Sequence, residues 1–303
     1  MTNHTRSLPR RTLGGGLLIL AAIWSCQSGG TEPEPVPEPA VLVGAGDIAR
    51  CFVEGDEITA ALLDNIPGTV MALGDNAYEI DESPSRVLSA FADCYESSWG
   101  RHKARTRPVP GNHEYLADGA PQYYAYFGDL AGPAGRGYYS YDLGAWHVIA
   151  LNSNINAGPD SDQLDWLRAD LSANRTSCTV AYWHHARFSS GLAGNNAHMA
   201  EAWRVLDSAG VDLAIVANDH NYERFAPQDH AGRADPNGMR QIVVGTGGGD
   251  LRPLGSVLRA NSEVRNTGTY GVLKLTLRAG SYDWEFVPQP GATFTDSGSA
   301  SCT

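Results

Sequence analysis

The chain has 303 residues, 42% hydrophobic and 18% charged, which is enough for a sizeable buried core and rules out a disordered or collagen-like protein. Its 22 Lys and Arg against 34 Asp and Glu leave a net charge of -12. That balance disfavours a nucleic-acid binder working by phosphate neutralisation. A site for phosphate groups on so acidic a chain needs bound cations to reverse the field locally.

Arg6, Arg10 and Arg11 precede an apolar run from Leu13 to Trp24. The run is shorter than the roughly 20 residues needed to span a bilayer, so residues 1–25 read as an export signal. It ends in Ile23-Trp24-Ser25-Cys26, which is similar to the bacterial lipobox and makes Cys26 a candidate for lipidation, with Trp24 an unusual choice there. Arg10-Arg11 also fits a twin-arginine signal, although an ordinary basic leader is preferred. Residues 26–40 include TEPEPVPEPA, with proline at every second position from Pro33 to Pro39. This reads as a stiff tether of about 30 Å. The expectation is a cell-envelope lipoprotein, or a secreted or periplasmic protein, meeting membrane only through that anchor.

Five cysteines include Cys26, and Cys51, Cys94, Cys178 and Cys302 make an even set suited to two disulfides in an exported protein. Of the three pairings, Cys51 with Cys94 and Cys178 with Cys302 is favoured, the second because it pins the C-terminal tail. No spacing fits a zinc knuckle.

From residue 41 short apolar runs alternate with amphipathic stretches. AVLVGAGD is followed by EITAALLDNI, TVMALGDN and a helical stretch near Ser85 to Ala104; HVIALNSN, SDQLDWLRADLSAN, TVAYWHH, a helix with Met199, Trp203 and Leu206, and VDLAIVAND come later. Strands alternating with helices indicate an α/β fold with helical layers on both faces. RQIVVGTGGG, TYGVLKLTLRAG and SYDWEFVPQ look like antiparallel strands, which implies mixed sheets. No linker interrupts 41–303, so it is read as one catalytic domain.

The strand ends carry the chemistry. AVLVGAG stops at Asp47, TVMALG at Asp75, RPVPG at Asn112 and His113, TVAYW at His184 and His185, and DLAIVAN at Asp219 and His220. Five apolar runs each deliver an oxygen or imidazole donor at the edge where open α/β sheets bind ligands. Asp, Asn and His together suit a transition-metal ion.

These blocks resemble those of the calcineurin-like metallophosphoesterases, and within them the purple acid phosphatase branch. Gly46-Asp47-Ile48-Ala49, Gly74-Asp75-Asn76-Ala77-Tyr78, Gly111-Asn112-His113-Glu114, Ala181-Tyr182-Trp183-His184 and Ala217-Asn218-Asp219-His220 follow the family's order. The resemblance implies an αββα sandwich of mixed β-sheets flanked by helices. It also implies a phosphomonoesterase, acid or alkaline phosphatase-like, that attacks small phosphorylated substrates with a metal-bridging hydroxide; a phosphodiesterase is the alternative. It places Asp47, Tyr78 and His220 on one metal, Asn112 and His184 on the other, and Asp75 between them. Tyr78 would favour Fe(III), paired with a divalent Mn, Zn, Fe or Mg ion. His113 would serve the leaving group, and His198 is a candidate substrate contact. His185 is assigned no role, and Tyr222-Glu223-Arg224 would support the ligands from behind.

The chain departs from the family at Asn218, where a histidine is expected on the second metal. An amide oxygen is a weaker, harder donor than imidazole. The rival expectation is therefore a non-catalytic phosphate-binding surface lipoprotein with a degenerate second site. VLVGAGDIA also fits a dinucleotide fingerprint, but the acid expected about twenty residues on falls at Asp64, inside an amphipathic stretch. Gly245 to Gly249 lacks the Lys-Ser or Lys-Thr of a P-loop and reads as a flexible turn near the site. Phe188-Ser189-Ser190-Gly191 is not a nucleophile elbow.

Overall fold

The computed structural model describes residues 1–2, 38–78 and 89–303. The expected export segment beyond residue 2, Cys26 and the tether as far as Pro37 fall outside them.

Two mixed sheets make the frame. In the six-stranded sheet the order is Ser297–Ser301, Ser281–Pro288, Gly271–Arg278, Ala40–Ala45, Thr69–Leu73, Thr106–Val109. In the seven-stranded sheet it is Ser262–Asn266, Tyr222–Phe225, Arg240–Val244, Leu213–Ala217, Cys178–His185, Trp146–Ala150, Tyr139–Leu143. Ala40–Ala45, Thr69–Leu73 and Thr106–Val109 run parallel, as do Trp146–Ala150, Cys178–His185, Leu213–Ala217 and Arg240–Val244. The remaining strands of these sheets add antiparallel to them or to one another.

The strands read as unbroken apolar runs because both of their faces are buried. Val180, Tyr182, Leu213, Ile215, Ile242 and Val244 point into the core shared with Leu42, Val70, Leu273 and Leu275 of the other sheet. The alternate residues Ala181, Trp183, Ala214, Val216 and Val243 meet Leu164, Leu167, Trp203 and Leu206. Those last four belong to the helices Asp162–Ala173 and Ala200–Ser208. Helix Gly55–Asp64 sets Ala60 and Leu63 into the shared core. In the seven-stranded sheet the period-two alternation thus sorts the central strands between a sheet-to-sheet layer and a sheet-to-helix layer.

Two expectations change. RQIVV is parallel to Leu213–Ala217, not purely antiparallel, because it continues the parallel set before the chain turns back. The stretch near Ser85 to Ala104 is not one α-helix: among its described residues, α-helical 89–90 passes into a π turn at Phe91–Tyr95, and after a turn at 96–98 a 3-10 helix runs over Trp99–Arg105. The hydroxyls of Ser97 and Ser98 donate to the Cys94 carbonyl, and Ser98 also to that of Tyr95, competing with the helical ladder. The disulfides pair Cys51 with Cys94 and Cys178 with Cys302. The second brings the C-terminal tail to Asp212, whose carboxylate accepts the Thr303 N–H at 2.8 Å.

Candidate metal centre

Every parallel strand ends on one edge, and the chain must turn there at once to present its next side chain. Asp47, Asp75 and Asn218 do this with φ of +57°, +48° and +68°, the left-handed region that few residues other than glycine adopt. The neighbouring glycines make room. A Cβ on Gly74 would lie 2.7 Å from His184 Nδ1, one on Gly111 would enter the Asp75 carboxylate, and one on Gly245 would enter that of Asp47. Gly245–Gly249 is therefore buried packing against the site and not the flexible turn its composition implies.

Two groups of donors converge on this edge. In the first, Asp47 Oδ1 accepts the Tyr78 hydroxyl at 2.9 Å and lies 3.4 Å from His220 Nε2, while Tyr78 Oη is 3.2 Å from the same nitrogen. In the second, His184 Nε2 is 3.1 Å from Asn112 Oδ1 and 3.4 Å from Asp75 Oδ2. Asp75 links them: ligand atoms of Asp47, Asp75 and His184 all lie within 4.8 Å of one another. The three side chains are buried.

Both histidines are oriented from behind. His184 Nδ1 meets the Leu73 carbonyl at 2.8 Å and His220 Nδ1 meets that of Asp250 at 2.7 Å. A carbonyl only accepts, so each Nδ1 carries a proton and each Nε2 faces the cluster. Asp250 also pairs with Arg50.

The electrostatics follow from crowding acceptors together. Burial and the carboxylates of Asp47 and Asp75 push the Tyr78 phenol well above its usual range. Burial works against both charges of the Asp75–His184 pair, yet their attraction wins. Asp75, helped by His113, is held well below the carboxylate range, and His184 is held up to about 9. A set of two carboxylates, a phenol, an amide oxygen and two Nε2 atoms calls for positive charge at its centre. A pair of cations fits that donor set, with Tyr78, Asp47 and His220 on one side and Asn112 and His184 on the other.

His113 donates its backbone N–H to Asp75 Oδ1 at 2.9 Å, and its ring stands edge-on to Tyr78 with centroids 4.4 Å apart. Asn218 is partly exposed, and its backbone N–H donates to Asp47 Oδ2 at 2.9 Å. Asp219, between two candidate ligands, is turned away: its carboxylate accepts the Ser189 hydroxyl and the N–H groups of Ala193 and Gly194. His198 is exposed and donates through Nε2 to the Ile155 carbonyl at 2.6 Å. Tyr222, Glu223 and Arg224 do not touch the donor set. Tyr222 and Arg224 bind Asp296, and Glu223 accepts from Ser190 and Ser262, so they brace neighbouring loops.

One residue escaped the sequence reading. Glu114 stood in the third block without a role, and it is fully buried. Its Oε2 accepts the N–H groups of Asp75 and Gly111, and its Oε1 those of Asn76 and Ala77, which ties the second and third loops together. Burial and the Asp75 charge push it up to about 7 against the pull of those amides. His185, to which the sequence reading assigns no role, bonds Ser153 and not the donor set. Ser153 Oγ accepts its backbone N–H at 3.1 Å and lies 2.8 Å from its Nδ1. Burial and the neighbouring His184 push this ring down to about 3, keeping it neutral.

No family model matches the chain. In sequence it is similar to purple acid phosphatase 18 of Arabidopsis thaliana, 26% identical over 266 residues that cover 77% of this chain and 56% of that one. In structure it is similar to a purple acid phosphatase from seeds of yellow lupin, with a TM-score of 0.70 at 18% identity, covering 87% of this chain and 54% of that one. A structure described as GAP50, the anchor in the inner membrane complex of Plasmodium, matches with a TM-score of 0.68 at 16% identity, covering 88% and 89%. The chain thus spans about half the length of its plant relatives. The resemblance read from the five blocks holds in sequence and in architecture: this chain has the metallophosphoesterase fold and is similar to the purple acid phosphatases.

Proposed function

We propose that residues 41–303 form an exported, binuclear metal-dependent phosphomonoesterase. One observation carries the reading: six donor side chains at or just beyond the ends of five strands converge in one buried, acceptor-rich cluster. Asp47, Tyr78 and His220 would hold one cation, Asn112 and His184 a second, and Asp75 both, with Asn218 at the margin of the second. Fe(III) suits the phenolate and a divalent Mn, Zn, Fe or Mg ion suits the other side. Bound there, the pair would supply an activated water and charge neutralisation for the phosphoryl oxygens.

The chain's own residues do the rest. Glu114 fixes the loops that bear Asp75, Asn112 and His113 through four backbone amides. His113, whose side chain is 25% exposed, reaches solvent with Nε2 at 3.7 Å from Asp75 Oδ2. It is placed to give a proton to the leaving oxygen. The Nδ1 anchors of His184 and His220 keep both rings from turning. Two disulfides suit an oxidising compartment, which supports export, and the mass of the mature protein would report a lipid on Cys26.

The test is elemental analysis together with hydrolysis of p-nitrophenyl phosphate. Two metals per chain are expected, and Asp75→Asn should abolish turnover while the fold persists; an active Asp75→Asn variant would refute the assignment. Comparison with bis(p-nitrophenyl) phosphate separates a monoesterase from a diesterase. A second reading rests on Asn218 and on a fold also found in a protein described as an anchor: a phosphate-binding surface lipoprotein without turnover. A large gain of activity from near zero in Asn218→His would favour it.

A further inference from the structure

The loop after strand Trp146–Ala150 gives no member to the donor set, yet its side chains grip the elements that carry the second cation side. Asn152 and Ser153 are buried and Asn154 is half-buried. Asn154 Nδ2 donates at 2.9 Å to the Pro110 carbonyl, two residues before Asn112. Ser153 Oγ accepts the backbone N–H of His185, the neighbour of His184, at 3.1 Å. Asn152 Nδ2 donates to Tyr115 Oη at 2.8 Å, which holds the turn Glu114–Leu116 behind His113, and to the Arg136 carbonyl at 3.0 Å. The Ile155 carbonyl accepts His198 Nε2 at 2.6 Å.

The loop is anchored from its other side. Gln163, buried in the helix Asp162–Ala173, accepts the Asn152 N–H at 2.8 Å and donates to the Asn152 carbonyl at 3.0 Å. Asn152 Oδ1 accepts the Asn154 N–H at 3.0 Å, and Leu151 donates its own to the Tyr182 carbonyl at 2.9 Å. The position of Ser153 and Asn154 is therefore set by the helix and the sheet, not by the donors they reach.

We propose that Ser153 and Asn154 are positioning residues for the second cation, holding Asn112 and His184 at the separation the ion needs. The proposal rests on the two-cation reading above. Asn112 Oδ1 and His184 Nε2, 3.1 Å apart, come from different elements. Glu114 ties the Asn112 loop to that of Asp75, and Ser153 and Asn154 tie it to the strand end of His184. With Asn218 where a histidine is expected, this side has no surplus of strong donors, so its affinity depends on how firmly the two it has are placed.

Ser153→Ala and Asn154→Ala each cut one link, and each is compared with the parent on the full chain loaded with Fe(III) and Mn(II). The visible absorption of tyrosinate-bound iron reports the Tyr78 side, and the Mn(II) dissociation constant from equilibrium dialysis reports the other. Mn(II) should bind about 10-fold to 100-fold more weakly in each variant while the absorption stays. Lost stability alone moves neither reading in a chain that circular dichroism shows to be folded. Unchanged Mn(II) binding, or loss of iron and manganese together, overturns the proposal. Should one variant not fold, the other decides; if neither folds, the loop serves the fold and not the ion, and the proposal falls. A parent that takes up fewer than two ions refutes the two-cation reading itself, and the positioning role with it, before any variant is compared.

Discussion

Glu114→Gln replaces one carboxylate oxygen by an NH2 group and should cost much of the protein's stability. The carboxylate receives N–H groups on both oxygens: Asp75 at 3.0 Å and Gly111 at 2.6 Å on one, Asn76 at 2.8 Å and Ala77 at 3.3 Å on the other. The amide keeps one acceptor and replaces the other by a donor, so two buried N–H groups lose their partner and face an NH2. Each orphaned donor costs about 1–3 kcal/mol, which gives about 2–6 kcal/mol in all. Turning the amide over only changes which pair suffers. Urea unfolding of parent and variant, with circular dichroism as the probe, measures the difference directly, and metal content should fall with it because Asp75 and Asn112 lose their shared brace. A loss under about 1 kcal/mol would refute the reasoning, since it would mean the four amides find other acceptors.

Three further outcomes are expected. Gly111→Ala drives a methyl group into the Asp75 carboxylate, so the purified variant should retain less metal; unchanged elemental analysis would count against the packing described. Cys302→Ser opens a loop spanning 124 residues, and by chain entropy that removes up to about 5 kcal/mol. An unchanged urea midpoint under non-oxidising handling would contradict it. His147 is clamped between Asp170 at 2.7 Å and Asp142 at 3.0 Å; burial opposes its charge but the two carboxylates raise its pKa above the ordinary value. A raised histidine stabilises fully below its unfolded pKa and loses that contribution as pH rises through the folded one. His147→Gln should therefore destabilise more at about pH 5 than at about pH 9, and an equal loss at both would show that the clamp contributes no charge.

The parts legible in the sequence were those where local pattern and final position coincide. Strands buried on both faces announce themselves as apolar runs, and a donor directly after each run needs no tertiary knowledge to be placed on the ligand-binding edge. Glu114 was invisible for the opposite reason: its partners are backbone amides of two loops, and amides leave no trace in residue identity. Asp219 misleads in the same way, because only the path of the 189–194 segment decides that its carboxylate turns from the cluster. The Gly245–Gly249 run reads as flexible by composition, yet the Asp47 carboxylate leaves no room for a side chain at Gly245, and the backbone of Gly46 and Asp56 leaves none at Gly247 and Gly248. The helix expected near Ser85 to Ala104 is interrupted at 96–98, where hydroxyls of Ser97 and Ser98 compete for the Cys94 carbonyl.

The left-handed turns at Asp47, Asp75 and Asn218 set stability and function against each other. For a residue with a Cβ that conformation costs about 1–2 kcal/mol, and glycine would relieve it while deleting the side chain the turn exists to present. Mutational drift toward a more stable fold therefore runs downhill through these positions and erases the cluster on the way. Asparagine is among the few side-chain-bearing residues that tolerate the turn well, which gives Asn218 a reason in its backbone that is independent of any metal.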